Sequence, residues 1–272
     1  MKKFLRESRK EFQKRALKID KRIRFAISAG ALAVLMLLST FFYFDRAFIF
    51  IPIIALTTYF LTYFSLAEGI EKMGWFEMFV MPVLVSISFY LFYFLFPVRW
   101  LTRIPFIIFY GISIYAAIVT SNIFNVGVEK SLGLYRAAFS INFLYQAIVS
   151  FLFFNLIFAL QSAFILNGIL TGAIGFLLSL NLFWSIRLKK YLEREVLLYA
   201  AFVGLVIGEL ALLISFLPLQ VSVYSLFMAA SYYSLAGLVY NYIDEKLFRE
   251  TIREYILVFG FVLIITFLSL SW

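Results

Sequence analysis

The 272-residue chain has no cysteine and no histidine. Without cysteine there are no disulfides, thiolate nucleophiles or cysteine-bound metals, and nothing in cysteine usage indicates a redox compartment. Without histidine there is no Ser-His-Asp or Cys-His catalysis, no H-E-x-x-H zinc site and no imidazole pH sensor. Charge is scarce as well, at 14% of residues against roughly 25% in an ordinary soluble domain. A chain so poor in charge cannot cover itself with polar surface. Neither a metal nor a cofactor is expected from what remains.

Apolar residues make up 64% of the chain, where roughly 45–50% is usual. In hydrocarbon each backbone N–H and C=O must be satisfied within the structure, which leaves only helices and closed barrels. The apolar runs are continuous and about 20 residues long, the length a membrane-crossing helix needs, whereas barrel strands would be about ten residues of alternating polarity. The expected fold class is therefore all-α, a polytopic transmembrane helical bundle. Nine spans are read, at 25–44, 47–66, 78–96, 104–121, 138–160, 163–184, 196–217, 219–240 and 255–271. Short joints at Asp45-Arg46, Gln161-Ser162 and Pro218 make antiparallel hairpins of the spans beside them. The longest non-periodic stretch, 122–136, carries Gly127 and Gly133 and reads as a loop or a short re-entrant element.

The first 24 residues hold eleven Lys and Arg against three acidic residues, a balance of +8 within a net charge of +9. Phe4, Phe12, Ala16, Ile19 and Ile23 add an apolar stripe, so residues 1–24 read as a basic amphipathic cytoplasmic segment ahead of a transmembrane domain at 25–272. Lys10, Lys14, Arg15, Lys18, Lys21 and Arg22 are its expected contacts with an anionic inner leaflet. Because the segment runs straight into a span, membrane lipid is the expected partner and nucleic acid is not. The charged region is too long for a cleavable signal, and no small-x-small site closes the apolar run. With the amino terminus inside, 21 of the 24 Lys and Arg fall on the cytoplasmic side and only Arg46, Arg99 and Arg103 outside. The expected location is the cell membrane, with Trp272 on the outer side.

One acidic residue lies well within a span. Glu209 sits about two-thirds of the way along the seventh, where an ionised carboxylate costs a few kcal/mol or more, so it is expected to face protein or a water-filled cavity. Depth along antiparallel spans offers Asn155, Asn167 and Thr171 as members of one intramembrane polar site with it, with Tyr224, Ser225 and Thr266 at the same level. The site is either a proton, cation or polar-substrate contact or a hydrogen bond that holds helices together. Beside it, Ala200, Gly204 and Gly208 follow small-x-x-x-small spacing, as do Gly168 and Gly172 on the sixth span with Gly175 beyond. Tight helix packing is the favoured reading of these glycines and a gating hinge the other. Asn142, Gln146 and Ser150 share a face of the fifth span and, with Asn181, form either interhelical hydrogen bonds, the favoured reading, or a polar vestibule. Glu68, Glu71 and Glu77 read as solvated loop charges rather than a cation funnel. In 244–254, the i,i+4 pairs Glu245 with Arg249 and Lys246 with Glu250 suggest a helix, a solvated linker being the alternative.

Enzyme is the class supported least. The paired aspartate-rich motifs of intramembrane prenyltransferases have no counterpart, since the only aspartates are Asp20, Asp45 and Asp244, and no G-x-x-x-x-G-K loop occurs. Transport or lipid translocation asks only for a midplane polar group and helix grooves. The alternative is a non-catalytic scaffold that assembles with a membrane partner or with copies of itself, through its cytoplasmic face. The stretch E-K-L-F-R-E-T-I-R-E-Y from Glu245 to Tyr255, running into a last span, resembles an uncharacterised family of bacterial multi-pass membrane proteins, a domain of unknown function. That resemblance implies no activity.

Overall fold

Hydrocarbon-length runs without internal charge satisfy their own backbone as helices, and every regular element among the described residues is one. The computed structural model describes residues 18–41, 47–67, 75–97, 99–126, 132–189 and 191–270, with backbone alone at 47, 48, 75–77 and 132. Its helices are α1 (Lys21–Ser39), α2 (Ala47–Ser65), α3 (Trp75–Tyr93), α4 (Trp100–Val126), α5 (Leu132–Ala159), α6 (Phe164–Arg187), α7 (Arg194–Ile214), α8 (Val221–Ile243) and α9 (Arg249–Leu268). Seven are long and apolar enough to cross a membrane; the described apolar stretches of α2 and α3, Ile49–Ser65 and Met78–Tyr93, are shorter. Large apolar side chains such as Ile49, Phe60, Ile112, Leu205, Phe261 and Phe267 stand exposed. This surface suits lipid rather than water.

Lys10, Lys14 and Arg15, with most of the basic segment, lie outside the described residues, as do Glu68, Glu71 and the Glu77 side chain. Lys18 and Arg22 are exposed, and Lys21 opens α1.

Two stretches differ from the sequence reading. Within 122–136, α4 continues to Val126 and α5 starts at Leu132, with 127–131 outside the described residues. The helical phase was hidden because Asn122 and Asn125 occupy buried positions beside Phe124, so polar residues hold the inward face; Asn125 Nδ2 donates to the Leu66 carbonyl at 3.4 Å. Within 244–254 the helix begins only at Arg249. Glu245 takes a left-handed backbone with φ of 56° and Lys246 pairs with Asp244 at 2.6 Å, so the i,i+4 relations are never set up. Exposed pairs worth a few tenths of a kcal/mol do not outweigh a broken phase.

The chain divides into two compact units, residues 1–141 and 142–272. Inside unit 1, small hydroxyls link successive helices. Ser65 donates to Ser28 at 2.8 Å, joining α2 to α1; Thr58 donates to Ser86 at 3.0 Å; and Ser86 meets the Tyr110 hydroxyl at 3.0 Å, joining α3 to α4. The Phe89 ring packs on Phe106, Phe109 and Tyr110. Arg103, only 6% exposed, closes one end of the unit. Its Nε donates to the Tyr93 hydroxyl at 3.0 Å and an Nη donates to the Thr40 carbonyl at 3.3 Å, while Phe41 and Trp100 flank the guanidinium at 4.4 and 4.9 Å. A cation here also meets the negative end of α1, whose C-cap is Thr40.

In unit 2 the joint between α5 and α6 is short enough that Gln161 adopts φ of 48°, and Leu188 caps α6 with φ of 47°. Between α6 and α7, Glu193 accepts hydrogen bonds from Lys189 and Arg187, which hold its carboxyl below the usual carboxylate range. The ring of Tyr255 on α9 fills the notch left by Gly237 on α8, and Asn241 Nδ2 donates to its hydroxyl at 3.4 Å.

Arg103→Ala removes two hydrogen bonds and two cation–π contacts and should destabilise the protein by about 2 kcal/mol in detergent unfolding, with Arg103→Lys recovering part of the loss. An unchanged unfolding curve for Arg103→Ala would contradict the clamp.

Candidate functional site

The small residues of α6 and α7 fall one turn apart on each helix, and the two backbones meet along them. A Cβ on Gly172 would lie 2.8 Å from the Gly204 carbonyl oxygen, and one on Gly204 would lie 2.8 Å from both the Gly172 oxygen and Phe176 Cβ. On Gly208 it would stand 3.0 Å from the Gly168 oxygen, and on Gly168 2.5 Å from Leu212 Cγ. At Gly172 and Gly204 the obstacle is backbone, which leaves no room for a side chain; at Gly208 the fit is tight, and at Gly168 the Leu212 side chain would have to move. Gly175, with 3.5 Å to Ile207, has space to spare.

Along the outside of this crossing runs an open groove of about 550 Å³. Ile165, Ile169 and Ala173 line it from α6, and Ala201, Leu205 and Glu209 from α7, with the glycines at its floor. Its surface is apolar apart from Glu209. That residue is exposed, and its carboxyl has no hydrogen-bond or ion partner among the described residues. At 1.5 Å per residue it lies about 8 Å from the Ile214 end of α7 and about 22 Å from the Arg194 end. The Cα–Cβ bond leans toward the helix N-terminus, away from the nearer end.

The four residues read as one polar site are therefore not brought together. Glu209 faces outward onto the groove rather than into protein or a water-filled cavity. Asn155 donates to the Ser225 hydroxyl at 2.9 Å, a link from α5 to α8. Asn167 and Thr171 are buried one turn apart on α6, and neither lines the groove. Of the residues at the same level, Tyr224 donates to the Ala211 carbonyl at 3.0 Å and Thr266 to the Val262 carbonyl in its own helix at 2.8 Å.

A second polar cluster links three helices. Asn142 Nδ2 and Gln146 Nε2 both donate to Asn181 Oδ1 at 3.2 Å, and the Tyr232 hydroxyl donates to Gln146 Oε1 at 2.6 Å. All four side chains are buried, and they bind α5, α6 and α8 together. Ser150 turns to its own helix, donating to the Ala147 carbonyl at 2.8 Å. Tyr232 was not singled out from the sequence, because tyrosine in a span normally reads as an interface residue; its position at the depth of the amides was the available signal. No group of three or more acidic residues able to hold a metal occurs among the described residues.

Residues 64–269 match the family described as "Protein of unknown function (DUF5656)". No curated protein and no solved structure matches the chain.

Gly204→Ala should cost about 2 kcal/mol, because a methyl group there meets backbone that cannot move aside. Gly260→Ala, with nothing within 4 Å of its new Cβ, should unfold within about 0.5 kcal/mol of wild type. Equal unfolding of the two variants would contradict the close crossing.

Proposed function

The chain belongs to this family of unknown function, and from that premise we propose that it is an integral membrane protein that acts by assembly. It receives a membrane partner against the outer face of α6 and α7. In this reading all nine helices cross the cell membrane with the amino terminus in the cytoplasm, where the Lys and Arg bias puts it. The basic segment lies on the anionic leaflet through Lys10, Lys14, Arg15, Lys18, Lys21 and Arg22.

The observation that carries the proposal is Glu209, a carboxyl exposed on an apolar groove with no partner among the described residues, which the span reading puts at hydrocarbon depth. A carboxyl facing lipid alone is costly, and a docked protein segment is the natural way to relieve that cost. The groove adds support: Ile165, Ile169, Ala173, Ala201 and Leu205 give a partner helix an apolar surface to lie on. Transport and lipid translocation, the other reading of the same residue, call for a polar path. In unit 2 Asn142 and Gln146 both donate to Asn181, and Gln146 accepts from Tyr232, so these amides tie helices together.

The absence of cysteine makes the test clean. Single cysteines at Leu205, in the groove, and at Phe261, exposed on α9, are reacted with a lipid-soluble maleimide, first in native membranes and then in proteoliposomes of the purified chain. Assembly predicts Leu205→Cys to react several-fold more slowly in native membranes, with Phe261→Cys unchanged between the two. Equal rates for Leu205→Cys in both settings would refute it.

A further inference from the structure

We propose that the segment received by the α6–α7 face is a transmembrane helix of another protein that carries a lysine or arginine at the depth of Glu209. The inference rests on the assembly reading and adds the chemistry of the partner.

Its first support is the isolation of the carboxyl. One turn before Glu209 stands Leu205 and one turn after stands Leu213, both exposed, and across the groove stand Ile165 and Ile169. Within reach of the Glu209 side chain, then, the face offers no donor of its own. A group placed like this is satisfied either by losing its charge or by meeting a donor from outside, and a cation is the donor that retains the charge at least cost in a low-dielectric setting.

The second support decides whose cation it is. With the amino terminus inside, every exposed Lys or Arg on a described helix, namely Arg22, Arg136, Arg187, Arg194, Arg249 and Arg253, stands at a cytoplasmic end, whereas Glu209 stands toward the opposite, Ile214 end of α7. Arg103, on α4, is buried and already holds Tyr93 and Thr40. In the same orientation, the described helices of a second copy therefore bring no exposed cation to the depth of Glu209, and a two-fold contact on this face would set two carboxyls against each other. Charge complementarity thus points away from self-association and toward a different chain. The groove suits a helix, whose backbone is satisfied within itself, whereas an irregular segment would leave backbone groups unsatisfied in hydrocarbon.

The test uses the full chain in proteoliposomes, with a fluorescent donor on Leu205→Cys and two acceptor-labelled transmembrane peptides. Both peptides are leucine-rich and of spanning length; one carries a single lysine at matching depth and the other only leucine there. The proposal expects the lysine peptide to bind about tenfold more tightly than the leucine peptide, the size of one good interhelical polar contact. Glu209→Gln should abolish that preference, and Glu209→Lys should transfer it to a peptide carrying glutamate at the same position. Because Glu209 is exposed, neither substitution disturbs packing, and the reversal of preference cannot come from misfolding.

Equal binding of both peptides beside Leu205 overturns the ion pair and leaves assembly standing. Failure of both peptides, with Leu205→Cys still protected in native membranes, also overturns the pair alone; failure of both with no such protection overturns the pair and assembly together. Energy transfer between copies of the chain, without peptide, gives the face to a second copy and overturns the proposal. So does quenching of the Leu205 label by brominated acyl chains that neither peptide displaces, which gives the groove to lipid.

Discussion

Hydrocarbon forms no hydrogen bonds, and the arrangement of this chain follows from that. Backbone groups must close on themselves, which accounts for the exclusively helical elements among the described residues. Between helices the hydrophobic effect gives little, since lipid is as apolar as leucine, so association depends on close approach and on polar contacts worth about 0.6–2 kcal/mol each. Each unit uses these in its own way. In unit 1, hydroxyls pass from Ser65 to Ser28 and from Thr58 through Ser86 to Tyr110. In unit 2, a carboxamide cluster joins three helices while the glycines of α6 and α7 bring two backbones into contact.

Glu209 stands outside this economy. Its neighbour Gly208 faces α6 across a tight contact, and one residue further along an α-helix is a rotation of about 100°. The close seam thus turns the carboxyl outward, onto the groove. What makes α7 fit α6 also sets the direction in which Glu209 looks. A function read from Glu209 is therefore a function of the outer face of α6 and α7.

The helices were legible from run length, and their ends from charge and proline. The phase of 122–126 was not, because asparagines hold positions where apolar residues would have marked the inward face; 244–254 left a helix and a linker open, and 244–248 is the linker because Glu245 interrupts the helix that its charge pairs imply. Glycine spacing gave the seam between α6 and α7. The spacing of Asn142 and Gln146 gave one face of the amide cluster but not Tyr232, which comes from a helix remote in sequence. Depth put Asn155, Asn167 and Thr171 beside Glu209, and depth alone says nothing of rotation about the helix axis. The rotation was partly available: Ala200, Gly204 and Gly208 mark the packed side of α7, and Glu209 lies off it.

The account turns on Glu209 meeting hydrocarbon rather than water. With the purified chain in proteoliposomes, a lipid-soluble carbodiimide should modify Glu209 while a water-soluble one leaves it intact, as read by mass spectrometry of the α7 peptide. Modification by the water-soluble reagent, or protection from both, would contradict it.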